Sequence, residues 1–215
     1  MKENKILSVE EIKNVGDGTV EQQPNKLEQN QSRTNLRQHL QECLDLRKGG
    51  IERIELLEAR NLLGNYNAQR EALDDERLEG ITIAIVPDDL WVKGSQPSES
   101  HAREQLILIK QSYYETQENP DEIAWTLHEL AHCQKFLDYE NSEDYDREMQ
   151  TFAFDDLKTE YSYPNNPVEQ YTFTKQFQYL KKQRKSKEDI LKMLSKYYRE
   201  EDFPFFNRLL DDVYS

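Results

Sequence analysis

The sequence predicts an α+β fold, mostly helical, with a small twisted sheet packed against one helix. Three observations predict it. Apolar residues recur near the 3.6-residue helical period over most of the chain beyond residue 33. Only two stretches, 81–86 and about 105–115, carry the continuous apolar runs of strands. The second is followed at once by Asn119-Pro120-Asp121-Glu122, which starts a long helix: Asn as cap, Pro at the first helical position, acids in the first turn.

Composition narrows the class. At 215 residues the chain suits one domain with a tail, and its 36% hydrophobic content implies a modest core. Lys and Arg number 28 against 42 Asp and Glu, a net charge of −14. That balance argues against a nucleic-acid binder, which needs a basic footprint. No apolar run approaches the roughly 20 residues of a membrane span, and residues 1–11 hold no signal-peptide core. Cys43 and Cys133 are too few for a disulfide framework. A cytoplasmic protein is expected.

The elements follow in order. Residues 1–33, rich in Glu, Gln and Asn, read as a flexible tail, with a regulatory pro-segment as the alternative. A single domain, 34–215, follows. In its helical N-terminal part, 34–79, Leu36, Leu40, Cys43 and Leu44 mark a first helix that Gly49-Gly50 stop. Cys43 lies on the apolar stripe as a buried thiol, or as a switch for a metal. Ile51, Ile54, Leu57, Ala59, Leu62 and Leu63 suggest a second helix, and 66–78 a third. The sheet and site core spans 80–160. Its strand at 81–86 is closed by Pro87, a polar loop covers 93–100, and the strand at 105–115 runs outward to an edge. Asn141-Ser142-Glu143-Asp144 starts another helix. In the last part, 161–215, the chain becomes helical again after Pro167 and reads as three helices, around 171–180, 190–194 and 206–213. The basic run at 181–187 suits a solvated helix end.

The helix that begins at Pro120 contains His128-Glu129-Leu130-Ala131-His132, an H-E-x-x-H sequence. Histidines at i and i+4 leave one helix face and can grip one ion. Glu129, about 100° further round, can reach a water beside that ion without ligating it. A catalytic ion needs a third protein ligand. Glu148 is the leading candidate, because it lies on an apolar stripe between Tyr145 and Phe152, where a carboxylate needs a cation. Asp144 and Asp138 are the alternatives.

Strand, strand, H-E-x-x-H helix, short loop and a second helix offering Glu resemble the zincins, in particular small gluzincins such as the minigluzincins and the ImmA/IrrE-type peptidases. The resemblance covers about residues 80–160. It implies a zincin-like domain and a zinc-dependent metallopeptidase, with Zn2+ held by His128, His132 and Glu148. It further implies that Glu129 is the general base for a water in the ion's fourth position. Tyr145, Tyr161 or Tyr163 would stabilise the oxyanion, and the strand around 106–114 would take substrate as an added strand. The rivals are a regulatory peptidase cutting one dedicated partner and a zinc-bound interaction module without turnover. Residues 115–160 hold 14 acidic and 3 basic residues. The expected partner is therefore a peptide or protein, preferably basic, rather than nucleic acid or membrane.

Overall fold

The two apolar runs lie side by side at the centre of a four-stranded sheet in the computed structural model of the chain. The structure describes residues 36–44, 50–61, 73–92, 97–115, 120–150 and 164–215. The chain divides into a segment ending at His39 and a body, Leu40–Ser215, which holds the sheet and the helices that follow it. The tail expected at 1–33 lies outside the described residues. So do residues 66–72 of the helix expected over 66–78; beyond them, Glu76–Gly80 is a 3-10 turn.

The body contains β1 (Glu55–Glu58), β2 (Thr82–Val86), β3 (Ser98–His101) and β4 (Leu106–Lys110), then α1 (Gln111–Glu115), α2 (Pro120–Leu137), α3 (Ser142–Gln150), α4 (Pro167–Lys182), α5 (Lys187–Leu194) and α6 (Phe203–Tyr214). It is α+β and mostly helical, with a small mixed sheet beside α2, as expected. No helix among the described residues is long and apolar enough to cross a membrane.

The sheet order is β1-β2-β4-β3. β2 and β4 run parallel, with Thr82 opposite Leu106 and Val86 opposite Lys110. The outer strands pair antiparallel, β1 on β2 and β3 on β4. Ile83–Val86 and Leu106–Ile109 are buried without alternation, because an interior strand covered on both faces has no solvent side.

The structure corrects three further expectations. Residues 51–61 are a 3-10 turn, the strand β1 and a second 3-10 turn, rather than one helix. The backbone groups of β2 need partners on that side, and pairing there outweighs a weak local helical preference. The strand expected over 105–115 ends at Lys110, and Gln111–Glu115 is helical. It is also interior: the edge strand is β3, inside the stretch expected to be a polar loop. Its polar sequence Ser-Glu-Ser-His hid it, since an edge strand needs no apolar alternation.

Side-chain caps fix the helix starts. Asn141 Oδ1 accepts from the Asp144 backbone N–H at 3.0 Å at the head of α3. Asn166 Oδ1 accepts from the Glu169 N–H at 2.8 Å at the head of α4, with Pro167 in first position. Ser186 and Asp189 close a capping box on α5. Phe173 and Phe177 of α4 and Phe206 of α6 are fully buried, and the rings of Phe173 and Phe206 meet edge-on at 5.0 Å. Each such ring contributes about 1.5–3 kcal/mol. They press α4 onto α2, and that contact builds the site.

Candidate metal centre

His128 and His132 project from the buried face of α2, each 5% exposed, with their Nε2 atoms 3.2 Å apart. One turn of α-helix between them puts both rings on one side, as the spacing requires. A carboxylate meets them from α4. Glu169 Oε2 lies 3.3 Å from His128 Nε2, and Oε1 lies 3.6 Å from His132 Nε2. Glu169 is 4% exposed. These three side chains form a buried group that could hold a metal ion.

The distances suit a metal site. An imidazolium–carboxylate ion pair closes to about 2.7–2.9 Å on one contact. Here three contacts are all longer and nearly equal. Donors placed 2.0–2.1 Å from a tetrahedral ion stand about 3.3–3.4 Å from one another. The observed 3.2, 3.3 and 3.6 Å are of that order, with Glu169 facing His128 through Oε2 and His132 through Oε1. The donor set, two imidazoles and one carboxylate, is one that a divalent metal ion accepts.

Electrostatics agree with the geometry. Burial pushes the His132 pKa down to about 4 and lowers that of His128 as well. Both rings are therefore neutral at pH 7, the form that ligates. Burial raises the Glu169 pKa, while His132 and then the Thr172 hydroxyl oppose the rise. The Thr172 Oγ1 donor is shared between the Glu169 backbone carbonyl at 3.1 Å and its Oε2 at 3.4 Å. Glu169 also occupies the first turn of α4, where the helix dipole favours a carboxylate.

Glu129 is half-buried on the adjoining face of α2 and lines a cavity of about 770 Å3 that His128, His132 and Glu169 also line. The Ser98 hydroxyl of β3 donates to Glu129 Oε1 at 3.5 Å, and Ser100 adds a second hydroxyl contact. Burial raises the Glu129 pKa; the nearby His128 and the Ser100 hydroxyl counter part of that rise. Trp125, Tyr197 and Tyr198 form an aromatic wall on the cavity, Trp125 meeting Tyr197 edge-on at 5.0 Å. The cavity thus joins three potential metal ligands and the half-buried carboxylate of Glu129.

Glu148, the expected third ligand, is not brought to the histidines. Its carboxylate accepts a hydrogen bond from the Tyr139 hydroxyl. On that helix Tyr145 is buried and packs on Phe136 and Tyr139, while Glu148 is half-buried; Phe152 lies outside the described residues. Asp138 pairs with Arg77 at 2.8 Å. Asp144 pairs with Arg147 at 2.9 Å and caps its own turn through Asn141. Tyr145 lines the cavity, and burial raises its pKa. Tyr161 and Tyr163 lie outside the described residues. Cys43 is half-buried, its Sγ donating to the Leu40 carbonyl. Gln134, on the same helix as the histidines, is buried.

Comparison with known protein families, curated proteins and solved structures finds no match. The resemblance to zincins therefore rests on the H-E-x-x-H sequence alone, and the buried group of His128, His132 and Glu169 is a possible metal site. Sequence reasoning missed Glu169 because an acid after Asn-Pro reads as an ordinary first-turn residue. A signal was present: Glu169 precedes Phe173, Phe177 and Leu180 on one apolar stripe of α4, the same argument that points to Glu148.

Proposed function

We propose that this chain is a zinc-dependent metallopeptidase, with His128, His132 and Glu169 as the ligands and Glu129 as the general base. The observation that carries the reading is the buried group of two imidazoles and one carboxylate beside a cavity that a second carboxylate, Glu129, also lines. Two imidazoles and a carboxylate suit zinc among the common divalent ions. A zinc ion bound there would supply Lewis acidity that polarises the scissile carbonyl and acidifies an attacking water.

The chain's own groups do the rest. Glu129 takes the proton of the attacking water and passes it to the leaving amine, and its raised pKa suits that shuttle. Ser98 and Ser100 aim its carboxylate from the edge strand. β3 lines the cavity along Ser98–Ser100, so it replaces 106–114 as the strand against which an extended peptide would align. Of the three tyrosines expected to act on the oxyanion, Tyr145 lines the cavity.

The test compares wild type with Glu129→Gln in a peptide-library cleavage assay, with bound metal measured in both. Wild type should cleave. Glu129→Gln should keep its zinc and lose roughly 10²–10⁴-fold in rate, the usual worth of a general base. Cleavage that survives the change would remove Glu129 from the reaction. A wild type that binds zinc but cuts nothing would make the protein an interaction module.

A further inference from the structure

A neutral imidazole carries one N–H, and its place decides which nitrogen can ligate. At His128 the nitrogen facing His132 and Glu169 is Nε2. The proton must then sit on Nδ1, which is buried and has no hydrogen-bond partner among the described residues. A second orphan lies beside it. Gln176 of α4 is fully buried, and both its Oε1 and its Nε2 lack partners among those residues. Its side chain lies against the His128 ring. Gln176 is one helical turn past Thr172 and two past Glu169, on the same face of α4. A fully buried glutamine costs stability unless its amide is hydrogen-bonded.

We propose that Gln176 is a positioning residue for the metal centre: its Oε1 accepts the Nδ1–H of His128, holding the ring in the tautomer and orientation that present Nε2 to the ion. Neither side chain has another partner for these atoms among the described residues, so each is available to the other. One helix, α4, then supplies both a ligand, Glu169, and the support of another ligand on α2. This inference rests on the metal reading and adds to it the reason a polar residue is kept inside an aromatic core. Outer partners of ligating histidines typically change metal affinity by 10–100-fold.

The test measures Zn2+ affinity by chelator competition in the full chain, for wild type, Gln176→Leu and Gln176→Glu. It also measures metal-free stability and the imidazole N–H resonances of the zinc-loaded protein. Gln176→Leu should bind zinc roughly 10–100-fold more weakly and lose the protected His128 Nδ1–H signal. Its metal-free form should stay folded with a small net change in stability, because the leucine removes a buried amide but leaves the His128 Nδ1–H without that acceptor. Gln176→Glu, which keeps an acceptor in place, should restore the N–H signal and most of the affinity. Equal zinc affinity in wild type and Gln176→Leu would overturn the positioning role while leaving the metal site intact. Equal loss in the Leu and Glu variants, tracking a loss of fold, would reduce Gln176 to packing. A wild type that binds no zinc would sink the metal reading and this inference with it.

Discussion

Glu169 and Glu148 show how narrowly a single carboxylate is assigned. Both lie on helices with aromatic stripes, and both follow an asparagine-led start. What separates them is burial: Glu169 is 4% exposed with two imidazoles facing it, while Glu148 is half-buried with a tyrosine hydroxyl as partner. The consequence is measurable. Glu169→Ala should weaken zinc binding by more than the roughly 10–100-fold that outer partners control, and Glu148→Ala should leave it nearly unchanged. Metal analysis after dialysis against chelator reads both. Retained zinc in Glu169→Ala would reject the ligand set. At this scale the two histidines and Glu129 are legible in the sequence, because i and i+4 on a helix define a face by themselves. Ser98, Ser100 and Gln176 are not, because nothing local distinguishes a serine in a polar stretch, or one glutamine on a helix, as a partner of a distant side chain.

At the scale of elements, α2 is held at both ends of its functional stretch. The aromatic wall at Trp125 covers the first end. At the second, Gln134 donates to the Leu73 carbonyl at 3.1 Å and to Asp75, and accepts from the Tyr171 hydroxyl at 2.7 Å. Arg77 pairs with Asp75 and Asp138 and donates to the Leu137 carbonyl, capping the helix end. The Arg77 guanidinium holds the Asp75 pKa down to about 2, with Gln134 contributing. An unfolded aspartate titrates near 3.9. As pH falls, the unfolded state therefore takes up the proton first. The clamp's contribution is fully present above about pH 4 and is lost as pH falls toward 2. Asp75→Asn should flatten that part of the stability profile, seen as a smaller shift in urea midpoint between pH 4 and pH 2 than in wild type. An unchanged slope would mean that the Arg77 clamp carries no coupling to α2. The same scale holds the clearest failure of local reading: β1 reads as helix from its periodicity, yet the sheet draws it into a strand.

For the whole molecule, charge is the relevant property. The net −14 is concentrated over 115–160, with 14 acids against 3 bases, but Glu169 lies beyond that stretch. The cavity lining also includes two cations, Arg103 and Arg199, and Arg103 is paired with Asp146. The acids Glu99, Glu104, Glu201 and Asp202 still outnumber them on the lining. A negative field over the cleft should favour peptides containing Lys or Arg. Cleavage of basic peptides should exceed that of acidic ones at low ionic strength. The gap should narrow as salt rises and the screening length falls to about 8 Å near physiological strength. Equal rates for both peptide classes at low salt would refute the preference.

The sequence alone determined what depends on neighbours a few residues apart. It placed the H-E-x-x-H face on a helix, the starts of α2, α3 and α4, the strand at 81–86, the existence but not the end or the interior place of the strand after 105, and the three C-terminal helices. Each rests on caps, turns or a 3.6- or 2-residue period, all of which are local physics. Only the tertiary structure decided the edge strand, the place of β1 and the identity of the third potential ligand. Those depend on which surfaces meet. Glu169 stands 37 positions after His132, and it reaches the histidines because Phe173, Phe177 and Phe206 bury α4 against α2 and α6. A buried carboxylate comes to face a pair of histidines through the packing of its helix, and no period along the chain records which helix that will be.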